Sequence, residues 1–326
     1  MRVSLTFFLL VIAVLAVAVL IPCLPRPSFT PPPSPSDKTE AALGPQPSAA
    51  PAAQVAATVL YPALFICHGG GPLPVLGDPQ HAEMVEKWQE HVSYLTGRYG
   101  RPSAIAVVSA HYQTRHPEVG SAARPAMHYD YSGFPAAAYA LVYTAPGAPA
   151  LATEMVDALR SRGMSARANP QRPYDHSVFV PLLRMFPAAD IPVVPIAVLR
   201  SDDPGEHIRI GEALRRFRER GVLFIGSGSS MHHFDYLYSQ RDAGRTFNDA
   251  LTRVLTAEAP LTPAARREEM VRVKSFPGFD EAHPSYGQEH LMPLLTLLGT
   301  AGGRPAREVA NMPFLAANVR HYLFEE

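Results

Sequence analysis

Short apolar runs that stop at a histidine set the strongest limit on how this chain can fold. His68 and His111 each end such a run directly, and His232 and His290 lie beside two others. Short apolar runs predict buried strands, and an open α/β sheet binds its ligands beyond the carboxyl ends of its strands. The pattern therefore predicts a sheet with several histidines at its strand ends.

Segments with helical spacing separate these apolar runs. Strands are predicted at Ala63–Cys67, Ala104–Ala110, Leu141–Tyr143, Ile191–Leu199 and Val222–Ile225. Helices are predicted at Gln80–Gly97, Pro149–Arg162, Ser177–Phe186, Glu206–Arg220, Thr246–Glu258 and Gln288–Leu298. Strands that alternate with helices favour a layered α/β architecture. We expect a single globular α/β domain with a central, mostly parallel or mixed sheet flanked by helices.

The first 57 residues have a different composition. Residues 1–21 are nearly all apolar with Arg2 as the one charge, about the length that spans a bilayer as a helix. We expect a signal anchor or a signal peptide there, and hence a membrane-anchored protein or a secreted or lumenal one. Residues 22–57 hold ten prolines and predict a disordered linker, which leaves 58–326 as the folded domain.

The charge balance argues against a nucleic-acid partner. Lys and Arg together number 29, as do Asp and Glu, and no long basic run occurs. Binding driven by the release of counterions from phosphates needs a concentration of positive charge. We therefore expect no nucleic acid among the partners, while the oligomeric state stays open.

Histidine is also the commonest metal ligand, and neutral imidazole suits zinc, iron, copper or nickel. The glycines at 69–71 allow a tight turn that exposes His68, but the lysine and hydroxyl of a phosphate-binding loop are missing. One such histidine is more often structural than a ligand. The recurrence at His111 and His232 favours a metal centre built from distant segments, with the adjacent His233 a weaker candidate.

Two further segments bear on catalysis. Gly226–Ser230 does not match the Gly-x-Ser-x-Gly nucleophile elbow, which disfavours a serine hydrolase. His176 lies just before a predicted helix, where the dipole disfavours its protonated form, and a neutral histidine can act as acid or base. The alternative is a capping loop in which Asp175 caps the helix and His176 is incidental.

Seven segments in sequence order resemble one protein family. They are Phe65–Gly69, Val108–Tyr112, Tyr129–Pro135, Tyr143–Gly147, Asp175–His176, Ser227–His232 and Glu289–Leu294. On these segments the chain resembles a class III extradiol ring-cleavage dioxygenase of the DOPA 4,5-dioxygenase type. The resemblance covers roughly residues 60–326.

The resemblance implies a metal site at one end of the central sheet. Iron(II) is the metal implied for activity, and zinc occupies the same site in some relatives. Carried over by motif, His68, His111 and His290 would bind the metal, with His232 a fourth ligand or a close neighbour. His176 would be the catalytic acid/base beside the substrate.

The implied reaction is the opening of a catechol ring, as in a DOPA-like substrate, by O₂ to a muconic semialdehyde-type product. Such an enzyme is an oxidoreductase of aromatic compound metabolism. Two alternatives remain: an inactive metal-binding or protein-binding module of the same fold, and a metal-dependent hydrolase with Glu289 as general base. The identity of the catechol, the ring bond cleaved, and the contribution of His232 or Glu289 to the metal shell stay open.

Overall fold

The computed structural model describes residues 60–239, 241–258, 260–285 and 287–325. The strands of this part are β1 (Ala63–Cys67), β2 (Ala104–Thr114), β3 (Glu118–Gly120), β4 (Arg167–Asn169), β5 (Val193–Leu199), β6 (Val222–Gly228), β7 (Arg307–Phe314) and β8 (Ala317–Phe324). Its helices are α1 (Leu73–Leu76), α2 (Ala82–Tyr99), α3 (Pro149–Ser161), α4 (His176–Met185), α5 (Pro204–Leu214), α6 (Phe234–Ser239), α7 (Arg245–Leu255), α8 (Pro263–Val271), α9 (Phe279–Ala282) and α10 (Met292–Thr300).

All the described strands join one mixed sheet in the order β4-β3-β5-β2-β6-β1-β8-β7. Its centre is parallel. Strand β2 pairs in parallel with both β5 and β6, and β6 pairs in parallel with β1. Strand β8 runs antiparallel to β1 and to β7, and β7 forms the edge of the sheet on this side. The predicted α/β fold with a mixed central sheet is confirmed.

The parallel centre of the sheet is buried on both faces. Every residue of β1, β5 and β6 is buried, as is every residue of α10, which packs on β1, β2 and β6. Strands covered by helices on both faces are continuously apolar, and for this reason the sequence pattern locates them well. Their carboxyl ends come together at one edge of the sheet.

Helix α10 lies unusually close to α5 because glycines face each other where they cross. A Cβ atom on Gly211 would lie 1.9 Å from the carbonyl oxygen of Thr296, and one on Gly299 would lie 2.0 Å from that of Ile208. No side chain larger than hydrogen fits at either position. The contact fixes the position of α10 and of the short segment that enters it.

Several predicted elements differ from the structure. Leu141–Tyr143 is not a strand: Val142 is exposed, and the Tyr143 hydroxyl donates to the carbonyl of Phe186. The antiparallel hairpin of β7 and β8 was not predicted. Strand β8 carries the buried polar residues Arg320 and His321, which interrupt the apolar pattern expected of a core strand.

The predicted membrane segment requires a correction. No helix of the described ranges is long and apolar enough to cross a membrane, and the 18-residue α2, the longest of them, carries charged residues along its length. The predicted anchor at 1–21 and the linker at 22–57 lie outside the described residues. The predictions of a signal or transmembrane segment, and of a membrane-anchored or secreted location, are withdrawn on this finding.

We expect His207 to make the fold sensitive to acid. Its Nδ1 donates to the carbonyl of Asp203, its Nε2 accepts from the N–H of Leu199, and burial lowers its pKa from 6.5 to about 4. The unfolded chain therefore binds more protons below pH 6.5. The free energy of unfolding should fall by up to about 1.4 kcal/mol per pH unit as the pH drops from 6.5 to about 4.

Urea unfolding across this pH range measures the effect. His207→Gln keeps a neutral donor and acceptor but does not titrate, so its stability should fall less steeply with acid than that of the wild type. Equal slopes for the two proteins would contradict the assignment.

Candidate metal centre

Five histidines from separate parts of the chain line one cavity of about 240 Å³ at the carboxyl edge of the sheet. His68 follows β1, His111 lies in β2, and His176 is the first residue of α4. His232 lies in the loop between β6 and α6, and His290 lies in a 3₁₀ turn, Glu289–Leu291, just before α10. The structure thus brings together all the histidines that the sequence singled out as ligands or acid/base.

A glycine turn directs the chain away from the cavity after His68. Gly69 adopts a left-handed φ of 80°, and a Cβ atom there would lie 2.8 Å from both Pro74 and His81. The ring of His81 is held by Asp78 and accepts a hydrogen bond from the N–H of Gly70 at 3.0 Å. The predicted turn at these glycines agrees with this geometry, whereas His68 is buried in the wall of the cavity and not exposed to solvent.

His111 lies in an irregular part of β2. Ser109 pairs with Ala197 and Gln113 pairs with Val198, so three residues of β2 lie between two neighbouring positions of β5. Such bulges redirect a side chain and are common beside active sites. The bulge is the local reason that His111 lines the cavity.

The rings of His68, His111 and His290 form a nearly equilateral triangle. Their centroids are 5.1, 5.1 and 4.9 Å apart, and the Nε2 atoms of His68 and His111 are 3.3 Å apart. Two imidazole nitrogens bound to one ion at about 2.0–2.1 Å lie about 2.9–3.4 Å apart. The spacing of this pair fits a shared metal ion.

Hydrogen bonds to Nδ1 assign the tautomer of His68. The Ser227 hydroxyl donates to the carbonyl oxygen of Ser177 at 2.6 Å, so its oxygen accepts from Nδ1–H of His68 at 3.1 Å. With the proton on Nδ1, Nε2 keeps its lone pair for a metal ion. Metal-binding histidines usually have their second nitrogen held in this way.

His290 is held by its neighbour. Its Nδ1–H donates to Oε1 of Glu289 at 2.9 Å, and its Nε2 is buried without a hydrogen-bond partner among the described residues. A buried unpaired nitrogen costs stability unless something binds it. A metal ion would satisfy this atom, which supports the fit of the residues to a metal centre.

The electrostatics of the cavity keep these rings neutral. Burial, together with repulsion from neighbouring imidazoles, lowers the pKa of His68 and His290 well below 6.5. The same causes lower the pKa of His111 to about 4 and that of His232 to about 3. Neutral imidazoles offer lone pairs at pH 7, as metal binding requires.

His232 takes a different position from the three rings of the triangle. Its ring stacks on that of His290, with centroids 3.4 Å apart and planes 11° from parallel. Potential ligand atoms of His232, Glu289 and His290 all lie within 4.8 Å of one another, as do those of His68, His111 and His176. The structure therefore places all five histidines in reach of one cavity without itself choosing the ligand set. His233 instead stacks on Tyr236.

Asp130 is a site residue to which sequence reasoning gave no role. Its Oδ1 accepts from Nδ1–H of His176 at 2.8 Å and from the backbone N–H of the same residue at 3.0 Å. Burial opposes ionisation of Asp130, but the hydrogen bonds from His176 prevail and lower its pKa to about 2. The available signal was its position between Tyr129 and Tyr131, since a carboxyl group among aromatic side chains needs a polar partner.

Asp175 lies at the N-cap of α4, but its carboxylate does not cap the helix. It accepts hydrogen bonds from the hydroxyls of Ser109 and Ser177 and forms an ion pair with Arg172. This network ties α4 to β2 beneath His176. The alternative in which Asp175 caps the helix is therefore wrong, because its carboxylate binds these side chains instead of the backbone at the start of α4.

The remaining walls of the cavity are apolar. Apart from the histidines and Gly69–Gly71, its lining residues are Leu73, Tyr131, Phe134, Phe234, Leu237, Tyr238, Phe314 and Leu315. Aromatic walls around a few convergent polar groups are typical of a small-molecule site. The cavity suits a flat, largely apolar molecule held against the histidines.

Comparison with known proteins gives concordant findings. Residues 63–322 match the family model for the catalytic LigB subunit of aromatic ring-opening dioxygenase. The chain is 36% identical to the dioxygenase tasH of Hapsidospora irregularis, over 74% of this chain and 78% of that protein. It is 33% identical to the 4,5-DOPA dioxygenase extradiol of Beta vulgaris, over 75% and 88% of the two chains. A crystal structure of an uncharacterized protein of Escherichia coli K12 is similar with a TM-score of 0.62 at 27% identity, and the match covers 81% of this chain and 99% of that one.

We expect Gly228→Ala to weaken metal binding. A Cβ atom at Gly228 would lie 2.1 Å from the carbonyl oxygen of His290, so the added methyl group must displace the segment that carries this ring. Loss of a ligand's support typically costs about 10–100-fold in metal affinity. Titration with zinc, followed by calorimetry, measures the change.

Gly97→Ala is the matched control, because a Cβ atom at Gly97 meets nothing within 4 Å. It should bind zinc like the wild type. Equal zinc affinity for both alanine variants would contradict the placement of His290 at the metal.

Proposed function

The chain belongs to the aromatic ring-opening dioxygenases of the LigB family, and from that membership we propose the roles of its cavity histidines. It is a metal-dependent extradiol dioxygenase, which opens an aromatic ring beside its hydroxyl-bearing carbons. We assign His68, His111 and His290 as the metal ligands. The buried Nε2 of His290, which has no hydrogen-bond partner among the described residues, carries the choice of this third ligand, and the nearly equal spacing of the three rings supports it.

His232 is assigned as a close neighbour that stacks on His290. A parallel ring at 3.4 Å restricts rotation of the His290 imidazole and excludes water from one of its faces. The backbone N–H of His232 donates to the carbonyl of Ala282 at 2.8 Å, and this bond holds the loop in place. This position supports a role in orienting a ligand.

Iron(II) is the metal that we propose for the active enzyme. Three neutral imidazoles are suitable ligands for both iron and zinc. Zinc has no redox chemistry, however, and transfer of electrons from a ring to O₂ is a redox reaction. Bound iron(II) supplies a Lewis acid and an electron carrier, neither of which a protein side chain provides.

His176 is proposed as the catalytic acid/base for a catechol substrate. Its Nδ1–H is held by Asp130, so Nε2 is the nitrogen left to exchange a proton with a substrate hydroxyl in the cavity. The Asp130 carboxylate would stabilise the imidazolium formed when His176 accepts that proton. Both atoms of O₂ enter the product, a muconic semialdehyde, and His176 returns the proton to it.

This pair of residues also separates the proposal from its alternatives. A module that only binds metal or protein needs no acid/base in the cavity, and His176 with its partner Asp130 is not required by the three assigned ligands. A hydrolase would need a free carboxylate as general base, whereas Glu289 is engaged by Nδ1–H of His290. The geometry therefore supports ring cleavage over both.

Separate losses of metal and of turnover test the assigned roles. The protein is stripped of metal, reloaded anaerobically with iron(II), and given catechol while oxygen uptake and yellow product are followed. His68→Ala should lose both iron and turnover. His176→Ala should keep its iron but turn over about 10²–10⁴-fold more slowly, the usual worth of an acid/base group.

The exposed His116 supplies the control, since His116→Ala should behave like the wild type. Retention of full iron by His68→Ala would remove it from the ligand set. Tight iron binding by the wild type with no oxygen uptake on any catechol would refute the proposed function in favour of a binding module.

Asp130→Asn should lower kcat by at least about 10-fold, because an amide stabilises an imidazolium poorly. Iron content and the Kd for catechol should stay close to those of the wild type, which separates positioning of His176 from a general structural defect. Asp130→Glu, which keeps the carboxylate, should recover part of the rate. An unchanged kcat in Asp130→Asn would contradict the role.

A further inference from the structure

We propose that the preferred substrate is a catechol with a neutral, apolar substituent, which lies in a groove formed by Leu237, Tyr238 and Leu315. The inference rests on the proposed function and narrows it. It separates this chain from relatives whose names specify DOPA, a substrate with a charged amino-acid side chain.

Apart from the metal ion of the proposed function, the walls of the cavity offer no cationic side chain to a substrate. None of its lining residues in the described ranges is lysine or arginine, and two of the side chains that hold the histidines, Asp130 and Glu289, are acidic. The hydroxyl of Tyr131 is directed elsewhere, since it donates to the carbonyl of Ala138 at 2.7 Å. A carboxylate on the substituent, away from the proposed metal, would lose its water here without gaining a cationic side chain, which is costly.

A second cavity adjoins the first and has room for a substituent. It has a volume of about 580 Å³ and shares Leu237, Tyr238 and Leu315 with the histidine cavity. Its other lining residues are Pro79, Gln80, Glu83, Pro313 and Ala316. The one charged side chain among these is again acidic and opposes an anionic substituent, while the shared wall of Leu237, Tyr238 and Leu315 suits an apolar one.

Leu315 has a backbone conformation that leucine rarely adopts. It is the first residue of the two-residue turn between β7 and β8, and its φ is +58°. Glycine normally occupies such positions in tight hairpins. Strained residues cluster at functional sites, and this leucine lies in the wall common to both cavities. The strain therefore gives an independent reason to assign its side chain to substrate binding.

The turn is held in place by its backbone. The N–H of Ala316 donates to the carbonyl of Leu237, and the N–H of Asp242 donates to that of Ala316, both at 2.9 Å. The first bond joins the hairpin to α6, which carries the exposed Tyr238, and the second joins it to the turn before α7. Side chains at 315 can therefore change while the groove keeps its backbone frame.

Three matched ligands test the preference on the full-length protein. The probes are 4-propylcatechol, the anionic 3-(3,4-dihydroxyphenyl)propionate and zwitterionic L-DOPA, with unsubstituted catechol as reference. Calorimetry on the zinc-loaded protein gives the Kd of each, and the iron-loaded enzyme gives kcat/KM. We expect 4-propylcatechol to bind at least about 10-fold more tightly than the propionate or L-DOPA.

The possible outcomes test the substrate preference and the proposed dioxygenase function separately. Equal or tighter binding of the propionate or L-DOPA overturns the apolar preference, and so does failure of every probe to bind. Cleavage of L-DOPA with the best kcat/KM overturns it as well, while the dioxygenase function stands. A clear binding preference for 4-propylcatechol without cleavage of any catechol supports the groove and refutes the proposed function.

Variants of Leu315 test whether its side chain determines the preference for an apolar substituent. Leu315→Asn keeps a similar shape and tolerates a positive φ, so it should fold with a Tm close to that of the wild type. The affinity advantage of 4-propylcatechol over catechol should fall about 10-fold in this variant. Leu315→Lys should in turn favour the propionate over 4-propylcatechol.

Ala189→Asn is the control for exchange at a left-handed position, since Ala189 has a φ of +50° and lies outside both cavities. It should keep the wild-type ligand preference. An unchanged preference in both Leu315 variants would overturn the assignment of the groove.

Discussion

Three of the histidine rings at the centre of this protein are oriented by what their Nδ1 nitrogens contact. Ser227 holds His68, Glu289 holds His290, and Asp130 holds His176. Because the proton of each ring is engaged there, the Nε2 lone pairs are free for other partners. Burial lowers the pKa of His68 and His290 and so keeps these two rings neutral. The parallel sheet contributes by bringing the ends of β1, β2 and β6 to one edge, so that side chains far apart in sequence converge.

The sequence was informative wherever burial imposed a uniform pattern. Strands covered on both faces are continuously apolar, so β1 was predicted to the residue and the histidine at its end with it. The hairpin of β7 and β8 escaped notice because buried Arg320 bonds Asp249 and Glu308, contacts that only the folded chain creates. Polar contacts between residues far apart in the chain do not appear in the hydrophobic periodicity of the sequence.

The same limit applies within the site. The histidines were found as residue types at strand ends, and the resemblance supplied their implied roles. The contacts of Asp130 and Ser227 and the stacking of His232 on His290 could not be derived, since each depends on the distance between segments that are far apart in the sequence. A single sequence identifies which residues can perform the chemistry, whereas the hydrogen bonds that orient them belong to the tertiary structure.

The hairpin turn at Leu315 and Ala316 joins the antiparallel strands β7 and β8, and it belongs to a different segment of the chain from those that supply the cavity histidines. Evolution can therefore alter which molecule is recognised by replacing one turn residue, while the inherited reaction centre stays intact. A family built in this way can diversify its substrates faster than its chemistry. New selectivities could likewise be engineered from this turn with little risk to the metal site.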